Sequence, residues 1–300
     1  MSPEPGALSP KLEDDIGRRI TVKKLLLAVW VVSMLVPALA SAQPFPVNAA
    51  GVTNGHWHLN SRDIEANKKI FVAMGGTAIK TGNFEIVRFP GVLVYLNQGP
   101  GAAPANGGTV GSVVNHIGFT VLNTQEAVAK WKAAGVNVLP GGAGRTDQAF
   151  VETPDGIRIE ILENKDQKFP IQSHHVHFNV PESEIPKMQA WYSTWFGAVP
   201  GKRGANIAAD LPGINLSFSK SMNDAVQVTT KGRTLDHIGF DVKNLQAFLK
   251  KYEAAGGKID RPYTRNEQTN SALAFITDPW GTYIELNERP DTPSQTTAAR

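Results

Sequence analysis

The sequence predicts an α+β fold made of four βαβββ modules, on three observations. The stretch His116-Ile117-Gly118-Phe119 returns as His237-Ile238-Gly239-Phe240. Each copy leads into a helix-like run ending in Ala-Ala-Gly (133–135 and 254–256), then a Phe-led strand, a Pro-containing turn, a Gly and a Glu. Two further stretches, from His56 and from His175, follow the same order with less identity. Self-similarity at fixed spacing means one structural unit built more than once.

The first module opens at Gly55-His56-Trp57-His58. A helix-like run follows over 64–74, then strands over 84–89 and 92–96. Residues 98–108, rich in Gly, Pro and Ala, read as a linker. The second module spans about 112–164. Its helix, 124–134, carries Ala127, Val128, Trp131 and Ala134 at helical spacing. The third opens His174-His175-Val176-His177, has a helix over 183–196 ending at Gly197, and closes with a strand over 214–218. The fourth runs from Arg233 to about Glu288, with a helix over 245–255 packing through Leu245, Phe248, Leu249 and Tyr252. The four align on a Gly before the last strand: Gly91, Gly156, Gly213 and Gly281. Four residues on stand Tyr95, Glu160, Ser217 and Glu285. On the first strands stand His56, His116, His175 and His237.

The 300 residues predict two domains large enough to build their own cores. A net charge of +3 with no basic block in the body of the chain argues against a nucleic-acid partner. With no cysteine, disulfides, thiolate nucleophiles and zinc–thiolate sites are excluded, so any metal must be held by His, carboxylate or other oxygen.

Arg18, Arg19, Lys23 and Lys24 precede the apolar run Leu25 to Val36, followed by Ala38-Leu39-Ala40-Ser41-Ala42. This is the order of a secretory signal, and the apolar run is too short for a membrane span. The reading is a signal peptide over 1–42, a mature start near Gln43, and a periplasmic or secreted protein with no membrane attachment. Arg18-Arg19 leaves the general and twin-arginine export routes both open.

Pairing consecutive modules gives His56, His116 and Glu160 in one half, and His175, His237 and Glu285 in the other. Two imidazoles and a carboxylate on rigid strands form a facial triad that leaves coordination positions open on a divalent ion. Fe2+, Mn2+, Zn2+, Ni2+ and Co2+ all suit such a set, and spacing does not choose among them. His58 and His177 lie two residues past first-strand histidines, hence on the same face. Each is a candidate fourth ligand or catalytic general base. The competing role for all of these is as hydrogen-bonded polar groups in the core. Tyr95 and Ser217 are expected to line the cup. Trp57, Trp191, Trp195 and Phe196 are expected to pack, His174 to be exposed, and Arg145, Arg203 and Arg265 to be solvated loop charges, with steering of an anionic substrate as their alternative role. No Gly-x-Ser-x-Gly elbow, His-Glu-x-x-His helix, phosphate loop or dinucleotide fingerprint occurs.

The module with His on its first strand and Glu on its last resembles the vicinal oxygen chelate superfamily of glyoxalase I, extradiol dioxygenases and bleomycin-resistance proteins. The resemblance runs from Gly51 to Glu288. It implies two eight-stranded half-barrels, each made of two modules around a cup: here residues 51–166 and 171–290, with 291–300 a flexible tail. Asp278-Pro279-Trp280-Gly281 with Glu285 resembles the end of the extradiol dioxygenase signature. Phe275 stands where that signature has Tyr, and residues 266–274 contain no His. Tyr95 and Ser217 stand where glyoxalase I has its second carboxylate. The resemblance thus implies a dioxygenase-like metalloenzyme acting on a small, non-catechol, oxygen-bearing substrate. A glyoxalase-like lyase and a metal-free ligand-sequestering protein are its alternatives, and a monomer or homodimer is expected.

Overall fold

The computed structural model describes residues 45–98 and 107–289. The signal-peptide reading and the tail therefore fall outside the described residues. Sixteen strands and four α-helices follow the βαβββ order four times. The first module is β1 (Val52–Asn60), α1 (Ile64–Ala73), β2 (Thr77–Thr81), β3 (Phe84–Phe89) and β4 (Val92–Asn97). The second is β5 (Val114–Val121), α2 (Thr124–Ala133), β6 (Val138–Pro140), β7 (Gln148–Glu152) and β8 (Arg158–Glu163). The third is β9 (Ile171–Val180), α3 (Ile185–Phe196), β10 (Val199–Arg203), β11 (Asn206–Leu211) and β12 (Ile214–Lys220). The fourth is β13 (Leu235–Val242), α4 (Leu245–Ala254), β14 (Ile259–Asn266), β15 (Ser271–Thr277) and β16 (Tyr283–Glu288).

Local chemistry accounts for the element ends. Asp63, Asn123 and Asn244 cap α1, α2 and α4, each side chain accepting from the amide three residues on. Helix α3 starts with Pro186 in its first turn and ends at Gly197 in the left-handed conformation. The four aligned glycines 91, 156, 213 and 281 have φ between 78° and 99°, a turn that a Cβ would strain. That requirement is why the alignment finds a Gly in every module.

The strands form two eight-stranded half-barrel sheets. One has the order β14-β15-β16-β13-β1-β4-β3-β2, the other β10-β11-β12-β9-β5-β8-β7-β6. Each is therefore centred on an antiparallel pair of first strands, β1 with β13 and β5 with β9. This corrects the expected grouping of 51–166 and 171–290: the first module shares a sheet with the fourth, and the second with the third. The short connection 164–170 joins two modules within a sheet, whereas the longer 221–234 crosses between sheets.

Consecutive modules still touch, across sheets. Asp155 accepts hydrogen bonds from Arg62 and Asn67 of the first module, and Asp278 accepts one from the Tyr192 hydroxyl on α3. Trp57 is fully buried and meets Phe119 of the other sheet edge-on. Trp191, Trp195 and Phe196 on α3 pack against Trp280, Tyr252 and Phe240 as expected.

Burial raises the pKa of Asp278 from 3.8 to about 6, against hydrogen bonds from Thr282, Tyr192 and Trp280. Between those values the folded chain holds a proton that the unfolded chain has released. The associated stability is full below about pH 4 and is lost as pH rises through about 6, a change of about 3 kcal/mol. Asp278→Asn should abolish this component. Denaturant titrations should show the variant gaining on the native protein across that window, and a constant difference would refute the assignment.

Candidate metal centres

The glycine of each His-Ile-Gly-Phe stretch explains how the histidines converge. Gly239 lies opposite His56 in the β1–β13 ladder, and Gly118 lies opposite His175 in the β5–β9 ladder. A Cβ on Gly239 would stand 2.1 Å from His56 Cε1, and one on Gly118 2.0 Å from His175 Cε1. The partner's imidazole thus occupies the space that a side chain would fill. On the other flank Glu285 is in register with Gly239 and Glu160 with Gly118, through parallel pairing. A carboxylate therefore reaches across a bare strand to the imidazole beyond.

The result is two centres with the same plan. In the first, Glu285 Oε2 lies 2.9 Å from His237 Nε2 and 3.3 Å from His56 Nε2. The His58 ring lies 4.4 Å from that of His237, and His56, His58, His237 and Glu285 have ligand atoms within 4.8 Å of one another. In the second, Glu160 Oε2 lies 2.9 Å from His175 Nε2 and 3.4 Å from His116 Nε2. The His177 ring is 4.5 Å from that of His116, and these three histidines also form a group with ligand atoms within 4.8 Å. The expected sets are therefore corrected by exchange. His56 belongs with His237 and Glu285, while His175 belongs with His116 and Glu160. All eight residues singled out from sequence lie in these two clusters.

The donors fit a divalent ion. His116 Nε2, His175 Nε2 and Glu160 Oε2 are buried, yet none has a hydrogen bond. Buried polar atoms are normally paired, and the exceptions need a reason. Bonds of 2.0–2.1 Å to one ion put neighbouring donor atoms roughly 2.9–3.4 Å apart, depending on geometry. The separations in both centres fall on that range.

Electrostatics favours the ligating form of both carboxylates and of His58, His175 and His177. Burial works to raise Glu285, but His56 and His237 outweigh it and hold the carboxyl well below the usual range. Burial likewise opposes His116 and His175 at Glu160, and the histidines win. Burial, with His237 and His56 adding to it, lowers His58 to about 3. Burial, with His116 and Arg203, lowers His177 to about 3. His175 is pushed well below its ordinary value, chiefly by burial. His237 is different: burial disfavours its charge, but Asp236 and Glu285 raise it above 6.5.

The surroundings hold residues that the sequence reading placed elsewhere. Arg203 is largely buried inside the Glu160 centre. Its Nε donates to Ser217 Oγ at 2.6 Å, and its Nη2 lies 3.8 Å from Glu160 and 3.4 Å from His177 Nδ1. Arg145 and Arg265 are surface charges as expected. His174 is half-buried, with its Nδ1 2.9 Å from that of His175. Gln148 donates to the other oxygen of Glu160, and Asp236 Oδ1 lies 2.6 Å from His237 Nδ1. Asp236 directly precedes a repeated module position, His237, whereas Gln148 carries no signal in the sequence. Tyr95 meets His56 edge-on and stacks on His58, and Ser217 is buried.

Residues 172–286 match the family model for the Glyoxalase/Bleomycin resistance protein/Dioxygenase superfamily. The vicinal oxygen chelate resemblance holds for that segment. Lactoylglutathione lyase of Escherichia coli O157:H7 is 43% identical over 61 residues, covering 19% of this chain and 45% of the relative. The enzyme of that name from Salmonella typhimurium is 41% identical over the same length. The chain thus spans about half the length of these curated relatives. Glyoxalase I from Zea mays shares the fold, with a TM-score of 0.60 at 17% identity, over 79% of this chain and 92% of that one. A Bacillus subtilis protein titled as a candidate dioxygenase has a TM-score of 0.57 at 14% identity, over 79% and 85%.

Proposed function

We propose that the protein is a metal-dependent enzyme of dioxygenase-like type, acting on a small substrate with neighbouring oxygen atoms. The observation that carries this reading is the convergence of His56, His237 and Glu285, with His58 beside them, on one point at ligand spacing. A divalent ion held there supplies Lewis acidity towards substrate oxygens.

The chain's own residues have limited proton chemistry. A general base works best with a pKa near the working pH. His58 and His177, at about 3, are too weakly basic for that role and serve better as neutral ligands or hydrogen-bonding groups. Glu285 and Glu160 stay anionic and hold the set together. Asp236 fixes the His237 ring through Nδ1, and Asn115 does so for His116. Phe275 and Tyr283 wall the Glu285 centre beside His237. Tyr95 and Ser217 put no carboxylate at their last-strand positions, and His58 and His177 are too weakly basic, which favours oxygen chemistry over a base-driven isomerisation. The lyase reading draws on the matched segment of lactoylglutathione lyase.

Metal content by mass spectrometry, followed by oxygen uptake and lactoylglutathione formation on protein loaded with Fe2+, Mn2+, Zn2+, Ni2+ or Co2+, tests these readings. Glu285→Ala should lose most of one metal equivalent. A protein that takes up no metal would be a ligand-sequestering one instead. We also infer that the protein is exported, from the basic, apolar and small-residue order of residues 18–42. Exported protein should begin at Gln43, and a chain retaining Leu25 to Val36 would refute cleavage.

A further inference from the structure

The two centres share a plan but not a charge. At His237 the second ring nitrogen faces the carboxylate of Asp236 at 2.6 Å; at the corresponding His116 it faces the neutral amide oxygen of Asn115 at 2.9 Å. Beside Glu160 stands the guanidinium of Arg203. Arg203 closes its hairpin opposite Asn206, as Thr81 does opposite Phe84 in the other sheet, so the Glu285 centre has an uncharged residue at that place. Gln148, which donates to Glu160, corresponds to Leu273, two residues before the Phe that faces the carboxylate.

The immediate charges are therefore Glu285 and Asp236 in one centre, against Glu160 and Arg203 in the other. The other charged groups nearby are engaged by residues other than the proposed ligands. Arg289 pairs with Asp241 at 2.9 Å, cancelling near the Glu285 centre. Lys231 and Arg261 lie over Tyr283 and Phe275 there, and Arg158 lies over Phe150 beside the Glu160 centre. A carboxylate behind a ligating imidazole strengthens metal binding, and a fixed cation within a few ångströms opposes it.

We infer that Asp236 and Arg203 rank the two centres, so that the chain loads one divalent ion at His56, His58, His237 and Glu285 well before it loads a second at His116, His175, His177 and Glu160. The inference rests on the metal-dependent reading above. It makes Arg203 and Asp236 positioning and charge-setting residues.

Calorimetric titration of the metal-free full chain with Co2+ tests it. Two steps separated by about 10- to 100-fold in affinity are expected. Glu285→Gln should remove the tight step and Glu160→Gln the weak one. Arg203→Gln should tighten the weak step about tenfold without changing the tight one, and Asp236→Asn should weaken the tight step by a similar factor. Circular dichroism checks folding, and the Asp236 arm stands if the Arg203 variant does not fold. Two steps of equal affinity, or loss of the tight step in Glu160→Gln, would overturn the ranking and leave the metalloenzyme reading intact. No uptake of Co2+ would overturn both.

Discussion

Replacing His56 with Ala takes metal from the Glu285 centre, and replacing His175 does not. The two residues are distinguishable because each faces a different carboxylate: His56 Nε2 lies 3.3 Å from Glu285, and His175 Nε2 lies 2.9 Å from Glu160. Removing a ligand costs more than the ~10- to 100-fold in affinity that losing a group behind a ligand costs. In a Glu160→Gln background, where only the Glu285 centre remains, His56→Ala should abolish stoichiometric metal in the purified protein. His175→Ala in that background should leave it in place. Metal analysis by mass spectrometry reads the result directly. If His175→Ala emptied the remaining centre and His56→Ala spared it, the observed strand pairing would be wrong.

Gly239→Ala should be nearly as damaging, although it removes no polar atom. The added carbon would stand 2.1 Å from Cε1 and 2.2 Å from Nδ1 of His56. That ring is 4% exposed, enclosed by Tyr95 and His237, and has nowhere to withdraw. Overpacking a dense interior costs roughly 1–3 kcal/mol. At ~2–4 °C per kcal/mol for a domain of this size, the melting temperature falls by several degrees. Displacing the His56 imidazole should also cost the Glu285 centre its metal. Gly201→Ala, where nothing lies within 4 Å of the added carbon, is the control and should be close to neutral in both readouts. A Gly239→Ala protein with unchanged melting temperature and metal content would show that the ring does not lie where the strand register puts it.

The module boundaries were legible because each rests on local chemistry. The helix predicted over 64–74 spans Ile64–Ala73, and that predicted over 245–255 spans Leu245–Ala254. The expected helix over 183–196 begins instead at Ile185, because Glu182–Glu184 form a 3-10 turn ahead of Pro186. The residues that converge in the two clusters were equally legible, since His56, His58, His116, His175, His177, His237, Glu160 and Glu285 all occupy repeated strand positions. Arg203 was misread as a loop charge. It ends the edge strand of the second sheet, and only the curl of that sheet brings its guanidinium over Ser217 and Glu160.

What sequence alone determined is the unit and its chemistry: four repeats, a histidine on each first strand, a carboxylate on every second last strand, and a glycine four residues before each last-strand position. What it left undecided is which copies meet. Any sheet that joins an odd module to an even one supplies two first-strand histidines, a Glu and a bare glycine. Both pairings therefore satisfy the local pattern equally. The choice falls to long-range contacts, namely the β1–β13 and β5–β9 ladders and the buried Asp155 and Asp278 that bind neighbouring modules across the sheets. Such contacts depend on the free energy of the whole packed chain, and no window of sequence contains them.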